Sequence, residues 1–287
     1  MKPMSTDDEI RDAQRETWAR LAAGWDKWDA VITHQLGPVG TAIIDRLGLV
    51  DGGRYLDIAS GTGEPGLSMA RRLPKARVAL TDLAPQMLDV AARRASAEAL
   101  DNVETRVCSA DDLPFDDATF DGVSVRFGYM FFPDMARATA EFARVLKPGG
   151  RICSSVWVDP DRNPWTAIAM QAIAAEAVLT RPDPDKPHMF RCAAPGCVSS
   201  LYAGAGLREV SEWDVDVELV TRSPAEYWDM LSEHVSLAVA ALQALDEPAR
   251  ERIRAKVIES VKPFETDGRV RVPGLARCIV GTKPVDH

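Results

Sequence analysis

The chain predicts an α/β fold: a doubly wound, Rossmann-like, mostly parallel seven-stranded sheet with an N-terminal helical lid and a helical insertion before the last strand. Three observations carry this expectation. Short apolar runs alternate with helical segments between residues 54 and 158. Gly61-Thr-Gly63-Glu-Pro-Gly66 fits G-x-G-x-x-G between the first run and the helix after it. Asp82 then closes the second run, nineteen residues after Gly63. Strands alternating with helices at this spacing imply βαβ units with right-handed crossovers, whose ligands bind beyond the carboxyl ends of the strands.

Each element follows from its own residues. The first fifty residues read as helical, with Asp7 and Asp8 as a cap and Ile10, Trp18, Leu21 and Trp25 on one stripe. Gly24 weakens that helix, and a second is expected from about Gly40 to Leu47, stopped by Gly48. Arg54–Ala59 is the first strand, Ser60–Gly63 a tight turn, and Pro65–Leu73 a helix that opens with a proline suited to its first turn. Ala76–Leu80, Val103–Cys108, Phe120–Val125 and Arg151–Val158 supply the next strands, with helices at Pro85–Leu100 and Met135–Leu146 between them. Beyond residue 158 the pattern loosens. A helix is expected at Trp165–Leu179, a proline-dense loop at Arg181–Pro187, a long strand at Leu207–Val220, helical periodicity over Pro224–Val261 and a final strand at Leu275–Gly281. The chain reads as a single domain over 1–287, in three parts: a lid (1–50), a cofactor-binding core (51–158) and acceptor-side elements (159–287).

Composition narrows the function. Apolar residues make up 46% and charged residues 27% of 287, ordinary for a soluble protein with a sizeable core. The net charge of -9 disfavours nucleic acid and anionic membranes as partners. No apolar run is long enough to span a bilayer, and the N-terminus lacks a secretory pattern, so the cytoplasm is the expected compartment. Five cysteines make no even disulfide set. His188, Cys192 and Cys197 are close in sequence but match no paired zinc spacing, so no metal is expected.

The glycine turn allows backbone to approach a ligand closely, and an acid at Asp82 can accept hydrogen bonds from a ribose diol. Any nucleoside cofactor fits so far, including NAD. Asp57 and Glu64 flank the turn and would repel a pyrophosphate, whereas they suit a cationic ligand. Helix-dipole or solvated roles stay open for both carboxylates.

The run Leu56-Asp-Ile-Ala-Ser-Gly-Thr-Gly63 resembles the first motif of class I S-adenosylmethionine-dependent methyltransferases. Thr81-Asp82-Leu-Ala-Pro-Gln-Met87 resembles the ribose-binding motif, and Ser109-Ala-Asp-Asp-Leu-Pro-Phe115 the adenine-edge motif. Phe120-Asp121 and Arg144-Val-Leu-Lys-Pro-Gly-Gly150 continue the match, which covers about residues 50–158 and is most similar to ubiquinone/menaquinone C-methyltransferase-like proteins. Ala59 stands where the family usually has Gly, and Ser109 where Asp or Asn is common. The resemblance implies S-adenosylmethionine as cofactor, with S-adenosylhomocysteine as product. It implies cofactor contacts at Trp25, Asp57, Ala59, Gly61, Thr62, Gly63, Asp82, Leu83, Met87, Ser109, Ala110, Asp111 and Arg126. Arg126 has a second reading as a salt-bridge partner of Asp121 or Asp134, and a third as the partner of a substrate anion.

A sulfonium methyl is already activated, so alignment and water exclusion suffice unless the acceptor must lose a proton. Among His34, His188, His234 and Tyr129, His34 is the expected catalytic base because it follows the lid. Trp18, Trp25 and Trp28 form a candidate aromatic wall, and Tyr129-Met-Phe-Phe132 a candidate mouth. Together they point to a small, hydrophobic organic acceptor. The nucleic-acid amino-methyltransferase motif is absent after the fourth strand, where the chain reads Arg126-Phe-Gly-Tyr129. An NAD(P)-dependent oxidoreductase and a related fold using the sulfonium for another reaction are the alternatives, and a homodimer through the insertion 218–273 is possible.

Overall fold

The computed structural model describes residues 6–176, 183 and 186–285. Its sheet runs β3-β2-β1-β4-β5-β8-β6, with a two-residue β7 paired to β8 off that path. The strands are β1 (Arg54–Ile58), β2 (Arg77–Asp82), β3 (Val103–Val107), β4 (Phe120–Arg126), β5 (Leu146–Trp157), β6 (Arg208–Thr221), β7 (Glu265–Thr266) and β8 (Arg269–Thr282). The first five are parallel, as the alternation of strands and helices requires. β8 inserts antiparallel between β5 and β6. The expected seven-stranded path is present, with β7 as a short addition.

The helices are α1 (Thr6–Lys27), α2 (Asp29–Arg46), α3 (Gly66–Arg72), α4 (Pro85–Ala97), α5 (Met135–Val145), α6 (Pro164–Glu176), α7 (Cys197–Gly204), α8 (Pro224–His234), α9 (Ser236–Gln243) and α10 (Glu247–Val261). Two differ from expectation at the N-terminus. Gly24 lies inside α1 because α8 crosses there: a Cβ would stand 2.4 Å from the Glu233 carbonyl oxygen. The second helix starts at Asp29, well before Gly40, and carries Pro38 within it. Burial of Ile32, Leu36, Val39, Ile43 and Ile44 along one face outweighs the local cost of Gly-Pro. Helix α7 was not foreseen. The end of the expected 165–179 helix and most of the 181–187 loop lie outside the described residues.

The last strand begins six residues earlier than its apolar run suggests. Thr266 pairs with Arg269 across Asp267-Gly268, both at positive φ (52° and 71°), which is a two-residue hairpin turn. Pro273 is tolerated because β5 reaches only to Ala276 on that side. Where the pairing stops, the Asn163 side chain takes over: it accepts from Leu275 N–H (3.0 Å) and donates to the carbonyls of Leu275 (3.2 Å) and Val158 (3.1 Å). The same side chain accepts from Trp165 Nε1 (3.1 Å), fixing that ring beside the sheet.

The core is one large cluster spanning the sheet and α2 to α10, and a small second one joins α1 (Leu21, Ala22) to the start of α4 (Ala84, Met87). Helices α1 and α2 thus straddle the carboxyl ends of the parallel strands, where a cavity opens. Among the described residues no helix is long and apolar enough to cross a membrane.

Candidate active site

The glycine turn is built from its carboxylates outward. Asp57, next to last in β1, is fully buried, accepting from Ser124 Oγ (2.6 Å) and the Gly66 amide (2.9 Å). Burial pushes its pKa up to about 7, against those two hydrogen bonds and the field of Arg126. Asp57 is therefore a brace beneath the turn and is not among the residues that line the cavity. Glu64 lines the cavity but is engaged, accepting from the Ser68 amide (3.1 Å) and pairing with Arg71 at 2.7 Å. Leu67 and Met69 amides donate to the carbonyls of Gly63 (2.8 Å) and Pro65 (3.0 Å). All four N-terminal amides of α3 are thus satisfied within the chain, and none is left to cradle a pyrophosphate.

The turn itself is open above. Ala59 and Gly61 sit at φ 51° and 53°, and a Cβ on Gly61 would meet nothing within 4 Å. That space belongs to the cavity. The Ser60 hydroxyl beside it is buried with no hydrogen-bond partner. Gly63 is needed for packing: a Cβ there would lie 2.6 Å from Leu67 Cδ1. Thr62 is buried, with its carbonyl accepting from Arg94 (3.3 Å). Neither Thr62 nor Gly63 lines the cavity, so both act on a ligand only through the shape of the turn.

Asp82, at the end of β2, accepts from the amides of Gly61 (2.9 Å) and Ala84 (2.9 Å) and lines the cavity. Burial raises its pKa, and these backbone bonds oppose the rise. Leu83, Met87, Ser109 and Ala110 continue the same wall. Asp111 does not. It accepts the Ser109 hydroxyl (2.5 Å) and forms an ion pair with Arg11 of α1 (2.7 Å). Its role is to tie the lid to the loop after β3, and Arg11, Gln14 and Trp18 reach the cavity from that lid.

The opposite wall is aromatic. Phe127 follows β4 and stacks on Trp157 (4.2 Å, 15°), and Trp157 meets Trp165 at 5.0 Å. Trp18 packs edge-on against Phe131 (5.0 Å) and Trp25 (6.2 Å). Trp28 departs from the expected aromatic wall: its Nε1 donates to Glu233 (2.8 Å), clasping α1 to α8 together with Lys27. Tyr129 and Met130 are core, with the Tyr129 hydroxyl against Thr139 (3.1 Å), so only Phe131 and Phe132 of that run face the cavity.

Two of the candidate histidines lie very differently with respect to the cavity. His34 is exposed on α2 and is not among the cavity residues, whereas its neighbours Ile32, Gln35 and Leu36 are. The period of the helix turns position 34 outward. His234, at the end of α8, is buried, lines the cavity and lies 5.7 Å from the Trp25 ring. Its Nδ1–H donates to the Met230 carbonyl (2.9 Å), leaving Nε2 as an acceptor. Burial lowers its pKa to about 4, so the ring is neutral at pH 7.

Sequence reasoning also missed Ser60, Gln35, Phe127, Trp157 and Trp165. Ser60 had a signal in its place between Ala59 and Gly61, but the others reach the cavity through long-range packing. Cys192 Sγ lies 3.5 Å from Met135 Sδ, and among the described residues no three His, Cys, Asp or Glu side chains group together.

Comparison with known proteins now bears on this geometry. Residues 56–150 match the family model described as a methyltransferase domain. This part of the chain is similar in sequence to methyltransferase domains. Demethylmenaquinone methyltransferase from Thermus thermophilus is 46% identical over 101 residues, covering 34% of this chain and 44% of that protein. The protein of the same name from Clavibacter sepedonicus is 36% identical over 146 residues, 50% of this chain and 54% of its own. The chain thus spans about half the length of the curated relatives it matches. In fold, the chain is similar to geranyl diphosphate C-methyltransferase from Streptomyces coelicolor, with a TM-score of 0.54 at 19% identity over 96% of this chain and 98% of that one.

Proposed function

We propose that this chain transfers a methyl group from S-adenosylmethionine to a small, mostly apolar organic acceptor. The observation that carries the proposal is the glycine turn: it is open above Gly61, while the first four amides of α3, where a pyrophosphate would sit, are already taken. The match to a methyltransferase domain supports the same reading. The cofactor supplies an electrophilic methyl on a sulfonium, so the protein has to align, hold and keep dry.

The residues present fit that cofactor. Asp82, fixed by two backbone amides, accepts from the ribose hydroxyls. The Ser109 hydroxyl donates its hydrogen bond to Asp111, so its oxygen is free to accept from the adenine amino group, beside Ala110. Leu83 and Met87 pack on the nucleoside, and Ser60 gains the partner it lacks. The lid, pinned by Arg11 to Asp111, excludes water from this half. The same cavity runs from the glycine turn to the aromatic wall, and we place the acceptor at that second end. That acceptor lies against Phe127, Trp157 and Trp165. His234 Nε2 is the nitrogen placed to take a proton from it, the role the sequence assigns to His34. We read the lid, the core and the acceptor-side strands as one domain, because β6 and β8 complete the sheet that β1 begins.

Calorimetry with S-adenosylhomocysteine, S-adenosylmethionine and NAD(H) tests the cofactor. Micromolar binding of the first two with none of NAD(H) is expected. NAD(H) binding alone overturns the reading.

A further inference from the structure

One strong charge in the cavity has no counter-charge in contact. Arg126 ends β4 and lines the cavity, and among the described residues its side chain makes no ion pair and no hydrogen bond. The carboxylates whose field it feels are each held elsewhere: Glu64 by Arg71 (2.7 Å), Asp29 by Arg94 (2.5 Å), and Asp57 by Ser124 and Gly66. Asp121 and Asp134, the salt-bridge partners its sequence position suggests, bind Lys147 (2.8 Å) and cap α5 instead. The cavity's other arginine, Arg11, is tied to Asp111. Burial pulls the Arg126 pKa down, so the surroundings do not compensate its charge.

A second polar group of the same cavity has no partner. Gln35 is buried on α2, lines the same cavity, and its Nε2 donates to nothing. Both groups are donors, so the missing partner is an acceptor rich in oxygen. Phe127, next to Arg126 in the chain, begins the stacked wall with Trp157 and Trp165. We propose that the methyl acceptor is a flat aromatic molecule bearing a carboxylate, which Arg126 receives through its planar fork while Gln35 donates a further hydrogen bond. This rests on the methyl-transfer reading, and it assigns Arg126 to the acceptor in place of the cofactor contact that the family resemblance implies.

The test uses a probe pair of one shape, 2-naphthoate and the neutral 2-naphthamide, titrated into the protein with and without saturating S-adenosylhomocysteine. The carboxylate binds at least about ten-fold tighter than the amide. Arg126→Met abolishes that preference, Arg126→Lys keeps part of it, and both retain S-adenosylhomocysteine affinity. Equal binding of the two probes by the unaltered protein, or no binding of either, overturns the proposal. So does an Arg126→Met protein that keeps the preference but loses S-adenosylhomocysteine, because the guanidinium then serves the cofactor's carboxylate. Should Arg126→Met not fold, Gln35→Leu gives a second reading: it weakens 2-naphthoate more than 2-naphthamide, and an equal effect on both overturns the role of the pair. Failure of the unaltered protein to bind S-adenosylhomocysteine breaks the methyl-transfer reading alone, since the probe preference is read on the unliganded protein as well.

Discussion

The two halves of the cavity are finished to different degrees. On the side of β1, β2 and α3, nearly every polar group already has a partner inside the chain: Asp57, Asp82, Glu64 and the first amides of α3 are bonded, and Ser60 is the exception. On the side of α2, β4 and α8, Arg126, the Gln35 amide nitrogen, Trp25 Nε1 and His234 Nε2 face the cavity without partners. Buried polar groups are normally satisfied, so an unsatisfied set marks where a ligand completes the structure. The finished half can hold a cofactor with its shape set in advance. The unfinished half depends on an acceptor to neutralise and satisfy it.

Removing a group from the finished half therefore has the largest effect. Asp82→Ala takes away the acceptor for the ribose and also the anchor of the Gly61 amide, and is expected to weaken S-adenosylhomocysteine binding by roughly 1.5–3 kcal/mol in calorimetry. Unchanged affinity removes Asp82 from the ribose site and breaks the comparison at its strongest point.

Two glycines sharpen it. Gly66→Ala puts a methyl 2.2 Å from Leu80 Cδ2 and 3.0 Å from Asp57 Oδ2, so it is expected to cost about 1–3 kcal/mol of stability in chemical denaturation. Gly61→Ala meets no protein atom within 4 Å and fills the space above the turn. It is expected to lower cofactor affinity more than stability, although φ of 53° adds a modest strain. Equal effects of both substitutions on both measurements would show the cradle to be ordinary surface.

That contrast explains what was legible. The parallel core was readable because each βαβ unit carries local signals, and Gly61, Gly63 and Asp82 stand at turns and strand ends where a ligand must come close. The same signals do not separate residues that line the cavity from Asp57, Thr62, Gly63 and Asp111, which do not, because proximity in sequence to a turn does not say which way a side chain faces. Asp57 points under the sheet and Asp111 toward Arg11. The acceptor half was illegible for another reason. Gln35, Trp157, Trp165 and His234 come from four separate elements, and only the packing of α2, β5, α6 and α8 joins them. The Asp267-Gly268 hairpin was readable and passed over, as its two residues carry a known preference for positive φ.

Titration separates the halves in a smaller way. Asp57, raised from 3.8 to about 7, binds a proton in the folded state that it lacks when unfolded, so its contribution to stability falls as pH rises from about 4 to about 7. His234, lowered from 6.5 to about 4, has the opposite sign: the unfolded chain takes its proton first, and stability is lost as pH falls through that window. Melting temperatures of Asp57→Asn and His234→Gln against the unaltered protein, from pH 4.5 to 7.5, are expected to diverge in opposite directions. Parallel curves for either variant would show that its group is not displaced.

The smallest expected effect is the one that separates two histidines of the same chain. His34 sits one residue from Gln35, yet the turn of α2 sends it to solvent, while His234, two hundred positions later, arrives inside through α8. A base acts only within hydrogen-bond reach of the proton it removes, so position outranks titration behaviour. His34→Ala is accordingly expected to leave methyl transfer unchanged in a product assay by mass spectrometry. His234→Gln removes the free Nε2 acceptor and slows turnover where the acceptor must lose a proton, with cofactor affinity retained. A loss with His34→Ala and none with His234→Gln would mean that α2 rolls about its axis when ligands bind, exchanging Gln35 for His34 at the cavity wall.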